Sequence, residues 1–356
     1  METEHYGKLP DGGEVTRYTL RNSCGSMVRV LSLGCILESI QLGNRDGKIE
    51  DITLGYDRLE DWLENRNYFG AVVGRIAGRI GGAKFPLEGR EVQLAVNRKT
   101  ENESCHIHGG EVGLSRRLWE GRPVKTGEGE GVRLSYHSPD GEEGYPGNVD
   151  FEVLYILTES NALRIEMKAT TDCATPVNPA NHAYWNLSGD PARPVLDHEV
   201  TLPGPEILEI GESMIPTGRR LNVRETPFDF SKPTAIGARI DRDHVQLQRA
   251  GGYDHYWILP EQEDESMIRM AARVREPVSG RVMELLTNQP GVVFYTGNFL
   301  GEGGPFKGGA KYPRRGGLCL ETQGYPDAPN HPEFPGCILR PGEKYNHIMV
   351  YQFSTD

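Results

Sequence analysis

The chain has 356 residues, a hydrophobic fraction of 37% and a formal net charge of −12, so it can bury a sizeable core without disulfides or metals. The acidic balance argues against nucleic acid or an anionic membrane as partner, because phosphates call for positive charge, and a neutral small molecule fits best. No stretch approaches the roughly 20 consecutive apolar residues of a membrane-spanning helix, and the N-terminus METEHYGKLPDGGEV lacks the order of a secretory leader. The expected compartment is therefore the cytoplasm. The six cysteines (Cys24, Cys35, Cys105, Cys173, Cys319 and Cys337) show no CxxC spacing and are expected to be reduced and mostly buried. In that compartment the sequons at Asn102 and Asn186 are accidental.

Tyr56–Glu64 carries the clearest helical signal, good for a turn or two. Strand alternation follows in Val132–Tyr136, Val149–Val153 and Leu163–Ala169, each with one apolar and one polar face. Asp140-Gly141 and Ser160-Asn161 supply the turns between them, so these segments predict an antiparallel meander. Glu261–Glu265 is a solvated loop. The 44 glycines and 24 prolines fall between short apolar runs rather than in one linker, which is the punctuation of many strands. The expected fold is all-β, a sandwich or barrel, with one domain over residues 1–356.

Four segments carry residues suited to chemistry. Gly74–Gly82 places Arg75 and Arg79 among glycines; read alone it is a tight turn, but two guanidinium groups there could face ligand oxygens. Cys105-His106-Ile107-His108-Gly109-Gly110 would put both imidazoles on one strand face. No second cluster completes a metal site, so no metal is expected, and His108, beside the glycines, is the better ligand candidate. Asn181-His182-Ala-Tyr184-Trp185-Asn186 offers amides for hydroxyls and flat rings for sugar C–H faces, or equally a buried strand with a bonded histidine. Glu321 follows the apolar Leu318–Leu320 and is expected to end that strand in a turn; a carboxylate there is costly unless paired or used.

These motifs, together with Asn67–Arg79, Gly252-Tyr-Asp254-His, Gln289–Asn298, Leu320–Asn330 and Leu339–Glu343, resemble the galactose mutarotase (aldose 1-epimerase) family along nearly the whole chain. The resemblance implies a large antiparallel β-sandwich of the galactose mutarotase type, a supersandwich, with no cofactor and a sugar cleft on the concave face of a sheet. It implies His182 as general acid and Glu321 as general base, with Arg79, His108, Tyr184, Asp254 and Gln289 holding the sugar. The family often has Asn where this chain has Gly78 and commonly Phe where it has Trp185; the larger Trp185 is expected to narrow one wall of the cleft.

Anomers interconvert by opening the hemiacetal ring, turning about C1–C2 and reclosing on the other carbonyl face. One group delivers a proton to the ring oxygen while another removes one from the C1 hydroxyl, and reclosure exchanges the roles. The expected arrangement has the two groups on opposite sides of the sugar. Rival readings are a sugar sensor of the same fold, an epimerase for a disaccharide or a sugar phosphate held by Arg75, Arg79, Arg116 and Arg117, and a glycoside hydrolase using Glu321 with Asp254. A monomer is the expected state.

Overall fold

The computed structural model describes residues 1–356 apart from 101–102, 263, 265–266 and 302–303, so the Asn102 sequon and part of the Glu261–Glu265 loop lie outside the described residues. Two large antiparallel sheets dominate. The nine-stranded sheet runs, in spatial order, Glu120–Lys125, Gly129–Ser138, Val149–Thr158, Ala162–Thr171, Tyr345–Thr355, Arg281–Thr287, Arg269–Arg275, Glu199–Thr201 and Thr234–Ala235. Its second to fourth strands are the expected meander, in register at Val132↔Tyr155 and Val153↔Met167. The C-terminal strand Tyr345–Thr355 then joins the meander to strands from the middle of the chain.

The six-stranded sheet runs Tyr184–Trp185, Leu318–Gln323, Gly291–Tyr295, Asp254–Ile258, Glu206–Ile210 and Pro216–Asn222. Side chains alternate across each strand. One face of this sheet supplies Trp185, Leu318, Leu320, Val292, Phe294, Trp257 and Ile207 to a core shared with Val153, Tyr155, Ile165, Met283, Leu285, Met349 and Tyr351 of the larger sheet. That layer of interdigitated aromatic and branched residues makes the pair of sheets a sandwich.

A five-stranded N-terminal sheet, Glu2–Lys8 through Ile49–Asp51, adds a second core of Val15, Leu31, Ile36, Trp62, Phe69, Tyr184, Phe306 and Tyr312. The expected helix forms over Leu59–Glu64 and anchors this cluster with Trp62. A second short helix, Val245–Ala250, is not visible in the apolar pattern. It is set by its ends, where the His244 ring accepts from the Gln246 N–H and Gly251 takes a left-handed conformation, φ 66°.

Three of the six cysteines are buried, and Cys24 is exposed. Asn186 is buried, its amide donating to three backbone carbonyls, so that sequon belongs to the core. Trp185 corrects the expectation made for it. It is fully buried against Tyr351 (4.8 Å between ring centroids) and Phe353, on the core side of its strand, and does not form a wall of the cleft.

Candidate active site

The outer face of the six-stranded sheet floors a cleft of about 210 Å³. Alternation along Leu318–Gln323 decides what reaches it. Leu318 and Leu320 enter the core, and Cys319, Glu321 and Gln323 take the other face. Glu321 therefore does not end its strand, which continues to Gln323 with Glu321 opposite Val293. Asp254 opens the strand two places across and pairs with Tyr295. Tyr184 comes from the edge strand, opposite Cys319.

The remaining groups arrive from above the sheet. His182 lies between two short strands, held by its N–H donating to the Ala71 carbonyl (2.8 Å) and its carbonyl accepting from Gly70 (3.0 Å). Its Nε2 stands 3.6 Å from Glu321 Oε1, with both side chains buried. Nδ1 faces the Cys319 thiol at 3.7 Å, and the ring stacks on Tyr184 at 5.2 Å and 24°. His108 follows the strand Ser104–Ile107 at a positive φ of 51°, beside two glycines. Its ring meets His182 edge-on at 5.1 Å, and its Nδ1 accepts from the Gly78 N–H at 3.3 Å, which assigns the ring proton to Nε2. Arg79 lies on the strand Arg79–Gly81, its guanidinium donating to Met214 Sδ at 3.6 Å.

Burial dominates the electrostatics. It pushes the Glu321 carboxyl well up, Asp254 adds to the rise and Arg79 opposes it. The same desolvation lowers His182 to about 4 and raises Asp254 against the pull of Arg79. His108 is driven well below its usual range by burial, then by His182 and Arg79. Desolvation thus disfavours charge on both members of the pair, acting toward neutral imidazole and protonated carboxyl.

His182, Glu321, Arg79, His108, Tyr184 and Asp254 thus line one cleft. Gln289 does not. It precedes the strand Gly291–Tyr295, its side chain donates to Asn288 Oδ1 (3.3 Å) and its carbonyl accepts from Arg269. The residues of that motif on the cleft face are Val293 and Tyr295. The two arginines of the glycine-rich segment also part company. Arg75 is buried and donates to Ser138, Pro139, Pro146 and Thr175, a structural cross-tie. His106 is likewise internal, bonded to the Ala95 carbonyl and the Tyr145 hydroxyl. His106 and His108 do not share a face, because the strand stops at Ile107. Among the described residues no group of three or more His, Cys, Asp or Glu is placed to hold a metal.

Sequence reasoning passed over several lining residues. Tyr68, at φ 57°, packs on His108 at 4.8 Å with the rings tilted by 58°; Tyr295 and the exposed Phe299 stand on the sheet side; Arg66 and Arg98 also line the cleft. Tyr68 sits inside the recognised segment Asn67–Arg79, and strand alternation from Glu321 would have found Gln323. Nothing local in the sequence marks Arg66 or Arg98.

The aldose 1-epimerase family model matches residues 16–352. This chain belongs to that family. It is 42% identical over 351 residues to mouse galactose mutarotase, covering 98% of this chain and 97% of that protein. It is 34% identical over 358 residues to the aldose 1-epimerase of Escherichia coli K12, covering 100% of both. The galactose 1-epimerase structure from Lactobacillus acidophilus superposes with a TM-score of 0.84 at 29% identity, covering 99% of this chain and 98% of that one. An aldose epimerase homologue from Caenorhabditis elegans also gives 0.84, at 27% identity over 95% of this chain and 98% of the other. Membership over the full length makes the chain an isomerase, with the galactose mutarotase type of all-β fold.

Proposed function

We propose that this isomerase interconverts the α and β anomers of a free aldohexose such as galactose or glucose, with His182 as general acid and Glu321 as general base. The observation that carries the reading is the 3.6 Å separation of His182 Nε2 and Glu321 Oε1 on the floor of the cleft. The ring oxygen and the C1 hydroxyl are bonded to the same carbon, so two groups standing side by side can address both at once. Opposite sides of the sugar are not needed.

Opening moves one proton onto the ring oxygen and one off the C1 hydroxyl, leaving the pair with the same number of protons. Imidazolium with carboxylate, and imidazole with carboxylic acid, are therefore equivalent in proton count, and ring opening converts one form into the other. Burial favours the neutral form in the free cleft, while Arg79 is the charge that favours the carboxylate needed to start with Glu321 as base. After bond rotation the sugar closes with the roles exchanged. His108, through its Nε2–H, and Arg79 are suited to donate to sugar oxygens, Asp254 to accept from a hydroxyl, and Tyr184 to support the acid.

The phosphate cluster of Arg75, Arg79, Arg116 and Arg117 does not assemble, although Arg66 and Arg98 line the cleft with Arg79. Of the arginines that could have formed a phosphate cluster, Arg75 is internal, Arg116 bonds the Glu64 carbonyl and Arg117 pairs with Glu142 at 2.9 Å. The reading further takes the protein as one domain, a cytoplasmic monomer and independent of any cofactor; light scattering tests the oligomeric state. Polarimetry of freshly dissolved α-D-galactose and α-D-glucose tests the reaction. Accelerated approach to the equilibrium rotation is expected, and binding of either sugar without acceleration would make the protein a sensor.

A further inference from the structure

One polar side chain on the cleft floor has no part in the chemistry above. Gln323 lies two residues beyond Glu321 on the same strand face, about 7 Å further along. Its side chain is fully buried, it lines the cleft, and neither Oε1 nor Nε2 has a hydrogen-bond partner among the described residues. This is unusual even within this protein. Gln246, equally buried, has both ends of its carboxamide bonded to the backbone of Ile210, and Asn178 has both ends bonded to Gly324. A buried amide unmatched at both ends is costly, so its retention calls for a partner that arrives from outside.

Gly78 stands beside it on the cleft lining. The residue has φ 76°, and a Cβ there would stand 3.7 Å from Gln323 Nε2 and 3.5 Å from Pro326 Cβ. A longer side chain at this position would contact the carboxamide directly and occupy the space next to it.

We propose that Gln323 is a specificity residue: its carboxamide, beside the space at Gly78, binds two adjacent hydroxyls on the part of the sugar ring away from the anomeric carbon. A carboxamide presents a donor and an acceptor side by side, so Nε2 donates to one hydroxyl while Oε1 accepts from its neighbour. The distance from Glu321 selects the far part of the ring. The inference rests on the aldose 1-epimerase reading and deepens it.

The test measures kcat/KM by polarimetry for galactose, glucose and their 2-, 3-, 4- and 6-deoxy analogues, with wild type, Gln323→Leu and Gly78→Asn. Wild type is expected to lose about tenfold or more on removal of one hydroxyl of the contacted pair. Gln323→Leu should bring the parent sugar down to that level while changing the rate with that analogue less than twofold. Its Tm should equal or exceed that of wild type, since an apolar side chain of similar size replaces an unmatched amide. Gly78→Asn tolerates the positive φ and sets a second amide against Gln323, so it should raise KM with little change in kcat. If Gln323→Leu lowers parent and analogues by one common factor, or changes none of them, the inference is overturned while the epimerase reading stands. A wild type that accelerates no aldose overturns both.

Discussion

Lowering the pH from 7 to 5.5 is expected to leave kcat/KM almost unchanged. Burial holds His182 at about 4 against an ordinary 6.5, which corresponds to about 3 kcal/mol against protonating the ring. At pH 5.5 only about 3% of His182 is then imidazolium; an unshifted histidine would be about 90% protonated, and the rate would fall about tenfold. The acid limb is expected to centre near pH 4 and to fall tenfold per pH unit below it. An alkaline limb follows when Glu321, raised by its burial and by Asp254, gives up its proton. These are properties of the pair, and kcat/KM reports them for the free enzyme. Initial rates by polarimetry at low sugar concentration, corrected at each pH for spontaneous mutarotation, measure the profile. A limb near 6.5 would show that His182 titrates in water-like surroundings and would refute the buried-pair argument. A flat profile from pH 4 to 9 would remove the acid–base assignment altogether.

Glu321→Gln and His182→Asn should each lower kcat by about 10²–10⁴-fold with the fold retained; most of the activity surviving in Glu321→Gln would require another base. Asp327 is buried, accepts from the Gly81 N–H at 3.1 Å and is pushed up to about 6 from 3.8, chiefly by burial. A raised carboxyl contributes stability that is full below pH 3.8 and lost as pH rises through 6, here about 3 kcal/mol. Asp327→Asn keeps an acceptor for Gly81, so its Tm should exceed that of wild type by about 4 °C at pH 8 and match it below pH 4; an equal difference at both pH values would contradict the linkage. Trp185→Phe should cost about 1–3 kcal/mol in a denaturant melt by opening space beside Tyr351, and leave KM for each sugar within twofold. A tenfold change in KM would restore the role in the cleft wall that its burial denies.

What was legible in the sequence follows from the range over which each cause acts. Strand alternation and turn residues are local, so the meander of Gly129–Thr171 and the helix at Leu59–Glu64 could be read directly. Family motifs pointed to His182, Glu321, Arg79, His108, Tyr184 and Asp254, which the fold gathers into one cleft from five separate segments. Less legible was which of two neighbours in sequence faces the cleft. Tyr184 lines the cleft and Trp185 enters the core; Arg79 reaches the cleft and Arg75 crosses to Ser138; His108 turns out where His106 turns in. Gln289 was misplaced because its motif begins before the strand does, and only register puts Val293 opposite Glu321.

By itself the sequence determined an all-β chain, its family and the chemical kinds of group at its site, since composition, alternation and motif are properties of the chain alone. The tertiary structure decided the rest: which face each residue takes, the 3.6 Å between His182 and Glu321, and the desolvation that lowers the one and raises the other. Those depend on packing two sheets and a set of loops around one buried volume, and burial is a property of neighbours far apart in the chain.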